Sequence, residues 1–143
     1  MPATRPPDFE HAIHTANIWL KAVSEALGTE DRHFAHRVLR AWLHTFRDRL
    51  TVDVTAHFAA QLPELLRGVY YDGWNPSAVP IKYDRDGYVN RFVQEAKVKA
   101  EDVPEIASVV TAVVRRQVSP GTVESAVEQI PHEIRGLLLQ PAT

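Results

Sequence analysis

Apolar residues recur every three or four positions through the first half of the chain, a spacing typical of amphipathic helices. It predicts a first helix that begins near Asp8, with that carboxylate as its cap, and ends at Gly28. It also predicts a second helix that opens at 29–31, with the Thr29 hydroxyl as its cap. Thr51 has a hydroxyl that can cap a third helix. Pro63 suits the first turn of a fourth helix, because proline has no N–H to satisfy there. The first half therefore predicts four helices.

The periodic pattern stops over 72–87, where Gly, Pro, Asn and Asp accumulate, and this composition predicts a connecting loop. Helical spacing then resumes and predicts further helices at 88–96, 103–118, 120–130 and 131–139. The third of these has Ser119 as a predicted cap and Pro120 at its first position. No segment alternates apolar and polar residues as a strand would. The pattern as a whole predicts an all-α protein.

One short element occurs twice. Gln61-Leu62-Pro63 followed by Leu66-Arg67-Gly68-Val69 returns 68 residues later as Gln129-Ile130-Pro131 followed by Ile134-Arg135-Gly136-Leu137. Self-similarity at a fixed offset is typical of one supersecondary unit used twice. We therefore predict a bundle of seven or eight helices built from two tandem pseudo-symmetric repeats. The predicted organisation is a flexible tail at 1–8 and a single domain at 9–143, with repeat one at 9–71, the loop at 72–87 and repeat two at 88–139.

The composition narrows the classes of function. Apolar residues make up 45% and charged residues 24% of the chain, which is ordinary for a globular protein. The formal charge of −2 gives no general attraction to nucleic acid or to an anionic membrane. The absence of cysteine excludes thiol catalysis, thiolate metal ligands and disulfides, and it suits the cytosol. With no long apolar run and no hydrophobic stretch near the N-terminus, we expect a cytoplasmic protein that spans no membrane.

Two histidine pairs are the candidate metal ligands. His11 and His14 are three residues apart on one predicted helix, and so are His33 and His36 on the next. Glu30 and His33 also have the spacing of a di-iron ligand pair. A metal site needs three or four convergent ligands, and only two can be argued in each place. The sequence therefore favours solvated histidines and predicts neither a metal nor another cofactor.

A basic row runs along one face of the predicted second helix and consists of Arg37, Arg40, His44 and Arg47. Residues at spacings of three and four share a helix face, and such a row could bind phosphates or other anions. Asp48 interrupts the row, and the chain has no glycine-rich phosphate loop. The sequence favours a solvated helix face, with anion binding as the alternative.

Arg67 and Arg135 occupy equivalent places in the two copies of the repeated element. Each could bind an anion. Each could equally bind the carbonyls of a neighbouring helix, because guanidinium presents a rigid fork of donors. Repetition favours the structural role, since both copies need the same internal contacts.

An aromatic segment, residues 70–74, follows the first copy of the repeated element. Tyrosine and tryptophan combine apolar area with a polar group and concentrate at interfaces. Tyr70, Tyr71 and Trp74 are therefore the candidate docking residues for a partner. The alternative is that these rings fold back and hold the connecting loop over the junction between the two copies.

Longer stretches of the chain resemble a known family. The bacterial domain-of-unknown-function family numbered 2267 is similar to this chain over His14–Leu20, Trp42–Leu50, Ala60–Trp74 and Ser119–Gly121. The chain departs from the family pattern at Thr122, where glutamate is usual, and near Leu138, where tryptophan is usual. The resemblance implies an all-helical cytosolic bacterial protein. It implies no reaction and no catalytic residue.

The sequence contains no GxSxG, HExxH or Walker motif, so we predict no catalytic residue and lean against an enzyme. The favoured function is a non-enzymatic protein–protein interaction or scaffolding domain, with an unidentified protein or a second copy of the chain, as a homodimer, for its partner. The alternative is a regulatory protein that binds nucleic acid or another anion through Arg37, Arg40, Arg47, Arg67 and Arg135. A metal-dependent enzyme that uses the N-terminal histidines ranks last.

Overall fold

The computed structural model describes residues 6–139, which fold into eight α-helices and one 3₁₀ turn. The α-helices are α1 (Pro7–Leu27), α2 (Arg32–Arg47), α3 (Val52–Ala59), α4 (Glu64–Tyr71), α5 (Arg85–Ala96), α6 (Val103–Gln117), α7 (Thr122–Val127) and α8 (His132–Leu138), with the 3₁₀ turn at Ala100–Asp102. No strand occurs in the described range, so the predicted all-α class and helix number are confirmed. None of the described helices has the length and apolar content needed to cross a membrane.

Two helix boundaries lie where local sequence signals place them. Gly28 follows the end of α1 with a φ of 70°, a left-handed conformation that glycine adopts without steric strain. The Thr51 hydroxyl accepts a hydrogen bond from the Val54 N–H and so caps α3. Both signals involve residues within one turn of the helix end, and neighbouring sequence is therefore enough to place them.

The starts of α1 and α2 differ from the prediction. α1 begins at Pro7, one residue earlier than expected, and no side chain caps it. Of the predicted tail, residues 1–5 lie outside the described residues. The carboxylate of Asp31, rather than the hydroxyl of Thr29, caps α2 by accepting from the Phe34 N–H. The hydroxyl of Thr29 instead accepts from the N–H of Asp31, so Thr29 holds the backbone of the residue that caps α2.

Three later boundaries also shift. Pro63 lies just before α4 and not in its first turn. α5 begins earlier than predicted because the carboxylate of Asp84 accepts from the Gly87 N–H, and the connecting loop is accordingly three residues shorter. α7 begins later and is short, since Gly121 takes a left-handed conformation with a φ of 86°. The hydroxyl of Ser119 therefore does not cap α7.

α2 lies at the centre of the bundle and packs against α1, α4, α5 and α6. Its rings Trp42 and Phe46 stack with their centroids 4.6 Å apart, and Phe58 and Tyr70 extend this cluster into α3 and α4. The indole N–H of Trp42 donates to the hydroxyl of Thr111 on α6 over 2.9 Å. α2 therefore joins the first half of the chain to the second.

The repeated element makes matching contacts in the two halves. The Gln61 side-chain oxygen accepts from the Ser119 N–H, 3.2 Å away, just before α7. The Gln129 side-chain oxygen accepts from both the N–H and the hydroxyl of Thr51, 3.4 and 3.1 Å away, just before α3. Each glutamine thus binds the chain at the start of the short helix in the other half.

Arg67 and Arg135 also make matching contacts. Arg67 donates to the carbonyl of Ala59, the last residue of α3, over 3.0 Å and to that of Leu62, three residues further on, over 2.9 Å. Arg135 donates to two carbonyls that follow α7, 3.1 and 3.4 Å away. The last carbonyls of a helix have no partner within it, so both arginines satisfy groups that would otherwise need water. These contacts correspond to the structural alternative stated for the two arginines.

Three tyrosine hydroxyls lie in the interior, those of Tyr70, Tyr83 and Tyr88. Burial raises the pKa of each well above its ordinary value, because a tyrosinate would be charged in a poorly solvated place. Below a pH of about 10 these groups are protonated in both the folded and the unfolded chain, whereas at higher pH only the unfolded chain releases the protons. We expect the free energy of unfolding to fall by about 1.4 kcal/mol per buried tyrosine for each pH unit above 10.

Urea unfolding at several alkaline pH values measures this loss. Tyr88→Phe is the informative variant, because the Tyr88 side chain is almost fully buried and burial is the largest cause of its raised pKa. The variant should lose less stability between neutral and alkaline pH than the wild type. An equal loss in both proteins would contradict the prediction.

Candidate functional site

The basic row on α2 does not face solvent along its length. His44 and Arg47 are only 5% and 4% exposed, because α4 and α5 cover this side of α2. Arg37 is half-buried and Arg40 is exposed, nearer the start of the helix. The prediction of a solvated helix face is therefore wrong for the second half of the row.

Arg47 joins α2 to the aromatic segment. Its Nη1 donates to the carbonyls of Tyr70 and Asp72, 2.7 and 2.8 Å away, and its Nε donates to the Asp48 carboxylate over 2.8 Å. A buried guanidinium needs such partners, since removing its charge from water is costly. Arg47 therefore fixes the position of residues 70–74 relative to α2.

Asp48 is a buried carboxylate held from two sides. One oxygen accepts from Arg47, and the other accepts from Nη2 of Arg91 on α5 over 2.7 Å. The Arg91 guanidinium also lies over the ring of Tyr83, 5.0 Å from its centroid, a cation–π arrangement. Asp48 thus does not merely interrupt the basic row. Its carboxylate joins Arg47 of that row to Arg91, which was not among the candidates selected from the sequence.

Arg37 and Arg40 have different partners. The Nε of Arg37 donates to the carbonyl of Ala96 at the C-terminal end of α5 over 2.8 Å, where a cation also complements the helix dipole. The Nη2 of Arg40 lies 2.7 Å from an oxygen of Asp72. The basic row is continuous along α2, but its members bind different elements: Arg37 binds α5, and Arg40 binds the aromatic segment.

His44 lies between α4 and α5. Its Nδ1 contacts the carboxyl group of Glu95, and its Nε2 lies 2.7 Å from the carbonyl oxygen of Val69. A carbonyl oxygen can only accept, so Nε2 carries a proton. Both ring nitrogens are engaged, and neither is available as a base toward a ligand.

These side chains line one groove of about 380 Å³ between α2, the aromatic segment and α5. We call it the charged groove, and its charged or titratable lining residues are Arg40, His44, Arg47, Asp72, Arg91 and Glu95. Guanidinium groups from two helices face the same space. The arrangement can bind an anionic group. Arg91 and Glu95 were not predicted as site residues. Their only local signal is a spacing of four on one helix, which does not by itself indicate a site.

The aromatic segment packs against the bundle. Tyr70 is buried, and its hydroxyl donates to the Thr55 carbonyl over 3.2 Å. The ring of Tyr71 lies between those of Tyr70 and Trp74, with centroid distances of 5.3 and 5.2 Å. Tyr70 presents nothing to a partner, whereas Tyr71 and Trp74 are half-buried next to residues of the charged groove. Docking on these two rings stays a prediction.

The candidate metal ligands remain apart. His11, His14, His33 and His36 are all exposed on α1 and α2. Within residues 6–139, no three His, Asp or Glu side chains are grouped so that they could hold a metal ion. The pKa of His36 is lowered, first by partial burial and then by the nearby charges of Arg40 and His33.

Comparison with known proteins identifies a family for this chain but does not identify a reaction. No curated protein matches the chain. The model of the family described as "Uncharacterized conserved protein (DUF2267)" matches residues 16–137, a range that contains the whole charged groove. The chain therefore belongs to the DUF2267 family of uncharacterized conserved proteins.

Proposed function

We propose that this protein is a non-enzymatic interaction domain that binds an acidic side chain of a protein partner in the charged groove. The observation that carries the proposal is the convergence of Arg40, Arg47 and Arg91 on one groove. Arginine binds carboxylates through charge-assisted hydrogen bonds, which are roughly twice as strong as neutral ones. Arg40 and Arg91 are the accessible pair, with side chains 44% and 36% exposed. The ligand that best fits these donors is a carboxylate bound by Arg40 and Arg91.

The charges around the groove favour a protein partner over nucleic acid. Asp48, Asp72 and Glu95 stand against the three arginines, so the site is close to balanced. A continuous phosphate backbone requires an excess of positive charge, which this groove lacks. A single carboxylate adds only one negative charge, and one arginine released from its internal acidic partner can bind it.

The same geometry supports a binding role rather than catalysis. The only imidazole that lines the groove is that of His44, and both its nitrogens are engaged by Glu95 and Val69. Histidine is the commonest general base, and this imidazole has no free nitrogen to present to a ligand. A binding domain needs no such group.

We also infer that the chain consists of two tandem repeats and that the groove lies between α2 of the first repeat and α5 of the second. The matching glutamine contacts and the two arginine clamps support the duplication. In the second repeat the positions of Arg40 and His44 are occupied by Ser108 and Ala112. Function then lies where the copies differ, and the shared element maintains the fold.

A blocked hexaglutamate peptide tests the proposed function. In NMR titrations of the wild-type protein, the amide signals of groove residues on α2 and α5 should shift. Arg40→Gln should weaken binding about tenfold, because it removes one charge-assisted hydrogen bond. The Arg40 side chain is exposed, so the variant should remain folded.

Arg116→Gln is the matched control, since Arg116 is exposed on α6 and does not line the charged groove. It removes the same charge and should bind the peptide as the wild type does. Equal weakening in both variants would mean that the peptide responds only to net charge, and the proposal would fail.

The partner can be another protein or a second copy of the chain. Sedimentation of the purified protein distinguishes the two, because self-association depends on concentration. If the groove binds a second copy, Arg40→Gln should shift the protein toward the monomer.

A further inference from the structure

A second cavity adjoins the charged groove and shares a wall with it. Its volume is about 340 Å³, and it is lined by His36, Leu65, Gly68, Val69, Arg40 and Asp72. Arg40 and Asp72 also line the charged groove. Their ion pair, with 2.7 Å between Nη2 and Oδ2, therefore lies where the two spaces meet.

This ion pair can open without disturbing the fold. The Asp72 side chain is 66% exposed, and exposed ion pairs contribute little to stability. The backbone of Asp72 is held separately, because its carbonyl accepts from Arg47 over 2.8 Å and its N–H donates to the Gly68 carbonyl over 3.1 Å. The Asp72 side chain can therefore rotate away from Arg40 while its backbone stays in place.

Asp72 is also poorly placed with respect to α4. It is the residue that directly follows the helix, where the negative end of the helix dipole disfavours a carboxylate. The Arg40 guanidinium offsets this repulsion. Because the helix dipole disfavours Asp72 at this place, a carboxylate of a partner can compete with it for Arg40.

The second cavity suits an uncharged side chain. Leu65 is 46% exposed and Val69 is half-buried beside it. Gly68 leaves room, since a Cβ added there would meet no atom within 4 Å. His36 adds no charge near neutral pH, because burial and then the charges of Arg40 and His33 lower its pKa. An aliphatic side chain would gain apolar contacts in this cavity.

We propose that the Arg40–Asp72 pair is a gate, and that it opens for a partner segment in which an acidic residue adjoins an aliphatic one. The acidic side chain replaces Asp72 at Arg40, and the aliphatic side chain enters the second cavity. This inference rests on the proposed function and adds the sequence class of the partner and the residue that limits its affinity.

Two blocked peptides with equal charge test the gate, Glu-Glu-Leu-Glu-Glu and Glu-Glu-Ala-Glu-Glu. Asp72→Asn should tighten binding of the leucine peptide about tenfold relative to the wild type, because the internal competitor is gone. The control Asp53→Asn removes an exposed acid on α3, outside both cavities, and should change affinity little. The wild type and Asp72→Asn should each prefer the leucine peptide to the alanine peptide.

Gly68→Leu tests the second cavity directly. It fills the cavity from a position where a side chain meets no obstacle, and it should abolish the preference for the leucine peptide. Gly136→Leu is the matched control, since Gly136 is the counterpart of Gly68 in the repeated element and is equally unobstructed. It should leave the preference intact.

The outcomes separate the gate from the proposed function. If the wild type binds the peptides and Asp72→Asn binds no better than Asp53→Asn, the gate is overturned while the proposed function stands. If neither the wild type nor Asp72→Asn binds either peptide, both are overturned. Tighter binding by Asp72→Asn together with loss of leucine preference in Gly68→Leu establishes the gate.

Discussion

Arg47→Met should lower the free energy of unfolding by about 3–5 kcal/mol, the usual effect of removing one partner from a buried ion pair. Arg47 is almost fully buried and donates to the Tyr70 and Asp72 carbonyls and to the Asp48 carboxylate. Methionine fills part of the volume and supplies no donor. The two carbonyls lose their arginine, and Asp48 keeps only Arg91 as a counter-charge. Urea unfolding followed by circular dichroism measures the loss.

The second half of the chain offers a matched control for this variant. Arg115 occupies the position equivalent to Arg47, but its ion pair with Glu124 is exposed, with side chains 49% and 43% accessible. Arg115→Met should cost less than about 1 kcal/mol, as exposed pairs do. If the two variants were equally destabilised, the buried charges around Asp48 would not be what distinguishes the two positions.

Trp42→Ala should also lower the free energy of unfolding by about 3–5 kcal/mol. The ring is fully buried, stacks on Phe46 and lies 6.2 Å from the centroid of Phe58. Alanine would leave a cavity at the centre of the bundle, where several helices must move together to refill it. The loss includes the indole hydrogen bond to Thr111, which joins the two halves. Thermal and urea unfolding both report the effect.

Two further variants show how much of the Trp42→Ala effect comes from the lost hydrogen bond and how much from the position of the ring. Thr111→Val removes the acceptor while it keeps the shape of the side chain, and it should cost about 1–3 kcal/mol because the buried indole N–H loses its partner. Trp74→Ala should cost less than Trp42→Ala, since Trp74 is only half-buried and follows α4 in the connecting segment. A Trp74 variant as unstable as the Trp42 variant would place the critical aromatic packing outside the centre of the bundle.

The helices were predictable because their signals are local. Gly28 ends α1 and Thr51 caps α3 through contacts within one turn. Where the prediction was wrong, neighbouring polar residues competed for the same role, as Thr29 and Asp31 do at the start of α2. Such competition is decided by backbone geometry that the order of residues does not specify.

The candidate site was predictable only in part. Arg40 and Arg47 were selected from the basic row, and Tyr71 and Trp74 from the aromatic segment, as two unrelated candidates. The structure brings them to one place through the bonds of Arg47 to the backbone of residues 70–72. Sequence spacing could not relate them, because these bonds span 23 and 25 residues.

The sequence by itself determined the all-helical class, most helix positions and the identity of a repeated element, because each depends on periodicity or on residues close together in the chain. Only the tertiary structure decided which charges are buried. Glu95 lies 51 residues from His44, and Arg91 lies 43 residues from Asp48. Helix packing sets these pairings, because a charge can leave water only where the folded chain supplies a partner for it.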